Sequence, residues 1–222
     1  MSGRSTGTYL NSRCAISTFK KIVEPLLGAL SEVSENRLLD AGLMQFFLIP
    51  DLPQNIPLLY RLIRLYRPDK QAFLLGNYYV KLTVNEIAVI LGLPNRGDEF
   101  VFKRKPYSAE NHKHLLAEMD HLALEETTPA VETRRLKVLV KYILCKFLFP
   151  LKGLRIPQCF FDFGGVEEFT RYNWPLAIHK FLHSQFVSLQ KLSCTREDPS
   201  SLGYLEGCSI VLVVRQFEIL TF

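Results

Sequence analysis

The sequence predicts a mostly α-helical fold, a single multi-helix domain with one short β-hairpin near residues 73–82. Three observations predict it. Apolar residues recur at helical spacing in segment after segment, most clearly over Glu132–Phe149, where Leu136, Leu139, Val140, Ile143, Phe147 and Leu148 share one face. Thr83–Leu91 carries the signals of both ends of a helix. Thr83 and Glu86 have capping-box spacing, Gly92 suits the left-handed position that ends a helix, and Pro94 blocks continuation. Gly-Asn between the β-favouring halves of FLLGNYYVKL is a hairpin signal.

In chain order, residues 1–12 read as a disordered Ser/Gly/Thr-rich tail and 13–222 as the helical domain. Ser17–Leu30 is an amphipathic helix that Pro25 should kink or restart, and Ser34–Ala41 a short helix closed by Gly42. Leu43–Ile49 is an apolar run whose periodicity fits helix or strand. Ile56–Tyr66 turns Leu59, Ile63 and Tyr66 inward and Arg61, Arg64 and Arg67 outward. Phe100–Lys105 reads as extended. Tyr107–Glu126 reads as a polar surface helix with a thin stripe of Leu116, Met119 and Leu122. Asn173 is an N-cap for a helix Trp174–Leu189, with Pro175 tolerated in its first turn, and Cys194–Leu202 is a loop. Gly207–Phe222 has strand propensity but fits a buried helix equally. The chain stops inside that apolar stretch, which reads as C-terminal truncation.

Composition bounds function only loosely. A chain of 222 residues with 48% hydrophobic residues can bury a sizeable core, and 22% charged residues is ordinary for a globular domain. The net charge of +5 permits a nucleic-acid partner without demanding one. Five cysteines with no CxxC pair argue against a zinc ribbon or a thioredoxin-like site and suit reduced thiols. No run approaches the roughly 20 apolar residues of a membrane helix, so no membrane partner is expected.

Each candidate constellation competes with a plainer reading. His179 and His183 stand one helical turn apart, and Cys194 is the nearest third metal ligand. Lys180 occupies the place where a metalloprotease helix carries its Glu, and ordinary surface histidines are the simpler account. Arg134, Arg135, Lys137, Lys141 and Lys146 make a basic helix face that suits phosphates, or simply a solvated face. LTVNEIAVILGLP is similar to the first helix and turn of a helix-turn-helix, but no recognition helix follows. No catalytic residue, cofactor or small-molecule substrate is expected.

Taken together, SRCAISTFKKIVEPL, the following LLDAGL, VKLTVNEIAVILGLPNRGDEF, YILCKFLFP, YNWPLAIHKFLHSQF and YLEGCSIVLVVRQFE resemble, in order and spacing, the plant mobile domain, also called aminotransferase-like. The likeness spans roughly Asn11–Phe222. It implies an all-α, uncharacterised, transposon-derived domain of the nucleus (alternatively the cytoplasm), associated with gene silencing and genome maintenance. It implies protein interaction, and favours helix over strand after Gly207. No Schiff-base lysine or phosphate cup supports aminotransferase chemistry. The structural signature it marks is Thr83, Glu86, Gly92, Pro94, Asn173, Trp174, Gly207 and Cys208. The degraded Ala41-Gly42-Leu43 and Val213-Val214-Arg215 depart from the family pattern. The leading expectation is a non-enzymatic interaction domain with an unknown protein partner. The alternatives are a DNA-binding component using residues 134–146 and, last, a hydrolase or transferase near His179, His183 and Cys208.

Overall fold

The computed structural model describes residues 11–12, 15–52, 55–195 and 203–219, and helices carry it. β1 (Asn11–Ser12) precedes α1 (Ile16–Leu27), α2 (Glu32–Asp40) and the single-turn α3 (Gln45–Leu48). α4 (Ile56–Leu65) runs straight into β2 (Tyr66–Arg67), followed by β3 (Ala72–Leu75), β4 (Tyr78–Val80) and α5 (Val84–Leu91). An irregular segment leads to β5 (Tyr107–Ser108), α6 (Glu110–Leu124) and α7 (Pro129–Ile143), whose end widens into a π-helical turn, Leu144–Leu148. β6 (Ile156–Pro157), α8 (Gln158–Phe161), α9 (Val166–Phe169), α10 (Trp174–Thr195), β7 (Tyr204–Leu205) and α11 (Ile210–Ile219) complete the described chain.

The fold is mostly α, with small sheets of two or three strands. The expected hairpin is present, with Phe73 opposite Val80 and Leu75 opposite Tyr78 around Gly76-Asn77. A third strand, β2, pairs antiparallel with β3, which periodicity at the end of α4 did not suggest. Asn11 and Ser12, assigned to the tail from sequence, pair in parallel with Tyr204 and Leu205. The rest of that tail, and residues 196–202 of the expected loop, lie outside the described residues; Cys194 itself is still in α10.

α7 is the hub. From Arg135 to Leu148 every residue except Lys137 and Lys146 is buried. α1, α2, α6 and α9 all pack against it. One contiguous cluster of apolar side chains runs from Ile16 to Leu212, so the helices form one domain around one core. The sequence-based assignment of α6 needs correction. It begins at Glu110, because Tyr107–Ser108 pairs with Ile156–Pro157 instead. Its buried stripe is Leu115, Met119 and Leu122, seated against α1 and α7, whereas Leu116 is only half-buried.

Pro25 is accommodated in the last turn of α1 without ending it. α3 resolves the ambiguous Leu43–Ile49 run as one helical turn. Phe100–Lys105 forms no strand; Phe100 and Phe102 anchor it by packing on Phe160, Trp174, Phe149 and Phe181. Residues 210–219 are helical, and Ile210, Val211, Leu212 and Val213 are buried in succession, as in a helix covered on all sides. Gly207 lets this helix start close to α10. Its φ is +92°, and a Cβ there would stand 2.8 Å from Cδ1 of Phe181. Cys208 beside it is fully buried.

Candidate functional site

A cleft of about 450 Å³ opens where three separated segments meet. The C-terminal end of α2 (Leu39–Gly42), the turn after α5 (Gly92, Leu93, Pro94, Arg96) and the α9–α10 connection (Phe169–Trp174) supply its walls.

Each wall is fixed by local chemistry. α5 begins at Thr83, whose hydroxyl accepts from the Glu86 amide at 3.2 Å while the Glu86 carboxylate accepts from the Thr83 amide at 2.7 Å. It ends at Gly92 in the left-handed conformation, φ +62° and ψ +22°. The side-chain amide of Gln45 donates to the carbonyls of Leu91 at 3.0 Å and Gly92 at 3.2 Å, so α3 caps α5. The chain then turns at Gly97, where a Cβ would lie 2.6 Å from the Arg171 carbonyl. That close approach lets the Asp98 amide donate to Arg171 and the Asn173 amide donate to Asp98, each at 2.8 Å. The Asn173 side-chain amide reaches Asn95 at 2.9 Å, while its carbonyl oxygen accepts from the Leu176 amide at 3.0 Å and caps α10.

Trp174 forms the floor. It is 1% exposed, donates its indole N–H to the Phe169 carbonyl at 2.8 Å and stacks on the Phe169 ring at 4.9 Å. Leu39, 60% exposed, and Arg96 stand at the rim. Arg37 pairs with Glu167 and ties α2 to α9; hydrogen bonding from its own amide, then from Arg37, holds the Glu167 carboxyl below its usual range. The cleft therefore combines an aromatic base, an exposed leucine, Asp40 and Arg96. Gly92, Pro94 and Trp174 of the sequence signature line it directly, and Asn173 braces it. Gln45, Gly97 and Leu39 were missed. Gly97 beside Asp98 is a turn signal in the sequence; nothing local marks the other two.

The basic face expected on α7 is not formed, which corrects the sequence reading of Arg134–Lys146. Arg135 is 1% exposed, and its guanidinium donates to the carbonyls of Leu122 at 3.0 Å, Ala29 at 2.5 Å and Glu125 at 2.6 Å, and to Thr127 and Glu132 at 3.0 Å. Glu132 in turn accepts from the Ser31 hydroxyl at 2.9 Å and from the Ser34 hydroxyl. Burial alone would raise the Glu132 pKa; the hydrogen bonds from Ser34, Ser31 and Arg135 outweigh it and hold the carboxyl below its usual range. Lys141 is buried over the Phe161 ring, 5.1 Å from its centroid, and burial lowers its pKa. Arg134 faces Glu125 at 3.4 Å and Glu118 at 3.9 Å. Lys137 and Lys146 are half-buried. Burial withdraws Arg135 and Lys141 from the expected five-residue face and leaves at the surface Arg134, which faces Glu125, and the half-buried Lys137 and Lys146.

The histidine pair also finds protein partners. His183 Nδ1 shares a hydrogen bond with the Tyr66 hydroxyl, and burial lowers the His179 pKa despite a hydrogen bond with the Leu82 backbone. The space between them is about 10 Å³, room for a single water at most. Among the described residues no group of three His, Cys, Asp or Glu gathers as a metal site. The Cys194 side chain lies outside the described residues. Burial pushes the Cys145 thiol up to about 12, far from a reactive thiolate. Among the described residues no helix is long and apolar enough to cross a membrane.

Fold and cleft define a class: a one-domain helical protein with a shallow site of mixed apolar and charged lining. Within that class the chain belongs to the family described as a domain of unknown function, DUF8566, whose model matches residues 12–213. No match was found among curated proteins or among solved structures.

Proposed function

We propose that the chain is a non-enzymatic interaction module of the plant-mobile-domain type, working in the nucleus, with the cleft as its protein-recognition site. The observation that carries this reading is convergence. Three segments far apart in sequence meet at one concave surface, and their contacts leave Leu39, Asp40 and Arg96 around a buried tryptophan. An exposed leucine in a concave surface with Asp40 and Arg96 beside it follows the apolar-centre, polar-rim arrangement of a protein interface. The link to transposon silencing or genome maintenance rests on the motif order alone. The alternative of DNA binding through residues 134–146 is disfavoured by the burial of Arg135 and Lys141.

The test is affinity isolation from plant nuclei with wild-type protein and a Leu39→Asp/Arg96→Glu variant. Both substituted side chains are exposed, so helical content should not change. A defined partner set retained by the wild type and lost by the variant supports the cleft. An identical set on both proteins removes it.

A further inference from the structure

We propose a second binding surface, distinct from the cleft and independent of the reading above: α4 and the outer face of the β2–β3–β4 sheet bind single-stranded nucleic acid. Residues 55–81 carry five basic side chains, Arg61, Arg64, Arg67, Lys70 and Lys81, against one carboxylate, Asp69. That is +4 of the whole chain's +5. Asp69 lies 3.6 Å from Lys70; among the described residues no carboxylate lies within ion-pair distance of Arg61, Arg64, Arg67 or Lys81. On α7, by contrast, Arg135 and Lys141 are buried and Arg134 faces Glu125 and Glu118.

The geometry makes these charges one surface. Arg61 and Arg64 stand one helical turn apart on the exposed side of α4. The Arg67 guanidinium donates to the Arg64 carbonyl at 3.2 Å, which places it beside that turn. Register carries the surface onto the sheet. Tyr66, Phe73 and Val80 are opposite one another, and Tyr66 and Phe73 face the core against Phe186. Alternation then puts Arg67, Ala72, Leu74 and Tyr79 on the other face, with Arg67 opposite the buried Ala72 and Tyr79 opposite the half-buried Leu74; Lys81 follows just beyond the end of β4 and is exposed. Tyr79 is 54% exposed, and Tyr78 at the hairpin end 77%.

The partner follows from this chemistry. Arginines with no carboxylate beside them among the described residues attract phosphates, and an exposed tyrosine among them offers a ring for a base to stack on. A duplex hides its base faces, so Tyr79 favours a single strand. An acidic peptide or an anionic membrane would use the cations and leave Tyr79 without a role.

The experiment is fluorescence anisotropy on the intact chain with a labelled oligothymidylate of about 20 nucleotides. Its competitors are a duplex of equal length, polyglutamate and phosphatidylserine vesicles. Single-strand binding should weaken steadily with salt. Arg61→Gln/Arg64→Gln should lower affinity tenfold or more and flatten the log–log salt slope by about 1.4, from about 0.7 per phosphate contact. Tyr79→Ala should lower affinity at least fivefold at unchanged salt slope. Lys20→Gln/Lys21→Gln on the outward side of α1 should change neither. No binding at low salt, equal loss from the α1 variant, or a neutral Tyr79→Ala would overturn the proposal, as would tighter binding of the duplex, polyglutamate or vesicles.

Discussion

Arg135 shows how far a single residue's role can lie from its sequence appearance. Periodicity ranks side chains by polarity, so an arginine between Arg134 and Leu136 falls on the solvent side. The structure closes five hydrogen bonds around it, two of them to the helix-free stretch Glu125–Thr127 and one to the α1–α2 loop at Ala29. Its charge is balanced by Glu132, which is itself held by Ser31 and Ser34 at the start of α2. The pair thus staples two loops to the central helix, and removing one partner strands the other charge inside. Glu132→Ala should therefore cost about 3–5 kcal/mol in urea unfolding. The pH dependence has a definite sign. A carboxyl held below its unfolded pKa in the native state stabilises the fold fully above about pH 4.3, and that contribution is lost as acid protonates the native form. Glu132→Gln takes up no proton, so its stability should fall less steeply below that pH than the wild type's. Parallel curves for the two proteins would show that Glu132 does not titrate with folding.

Elements differ in how legible they are, and the reason is whether their determinants are local. α5 was readable because Thr83, Glu86, Gly92 and Pro94 all act within a few residues of the helix they bound. α10 was readable at Asn173 for the same reason, and its extension past Leu189 to Thr195 was not, since no glycine or proline lies between them to stop it or mark its length. β2 and β5 were missed because each is two residues long and exists only through a distant partner. α3 was ambiguous from sequence because a seven-residue apolar run fits either period. The cleft divides in the same way. Gly92, Pro94, Asn173 and Trp174 were singled out for local reasons, but their meeting with Leu39–Gly42 is tertiary. The two ends of α5 can be weighed against each other. Thr83→Ala removes a local cap and should cost about 1 kcal/mol. Gln45→Ala leaves the carbonyls of Leu91 and Gly92 without their side-chain donor, and water can replace it at the exposed Gly92 carbonyl. Its cost should be smaller, about 0.5 kcal/mol, at the low end for a hydrogen bond. Thermal unfolding of both variants ranks them; a larger loss for Gln45→Ala would make the α3–α5 contact the stronger restraint.

At the scale of the whole molecule, one buried helix organises the rest, and both candidate surfaces lie away from it. α7 and its π-helical continuation are covered by α1, α2, α6 and α9, and the side chains of Leu139, Val140, Ile143, Leu144, Phe147 and Leu148 have no exposed surface. Burial of that extent makes local opening of α7 as costly as opening the core, so its amides should exchange only through global unfolding. The β3–β4 hairpin is the opposite case. Tyr78 and Tyr79 are exposed, β4 is an edge strand, and Gly76 at the turn has φ +59° with nothing near it. Its amides should exchange through local opening, with little sensitivity to low denaturant. Hydrogen exchange read by mass spectrometry at increasing urea separates the two regimes. Peptides covering residues 136–148 should be the slowest in the chain and approach the global unfolding free energy. Peptides covering 74–80 should exchange orders of magnitude faster. Added oligothymidylate should slow the hairpin without changing α7, because a ligand that contacts the sheet raises the cost of opening only what it touches. Exchange of α7 as fast as that of the surface helix α6 would contradict the hub architecture. Protection by the oligonucleotide confined to α1 would locate the polyanion elsewhere than on Arg61, Arg64 and Tyr79.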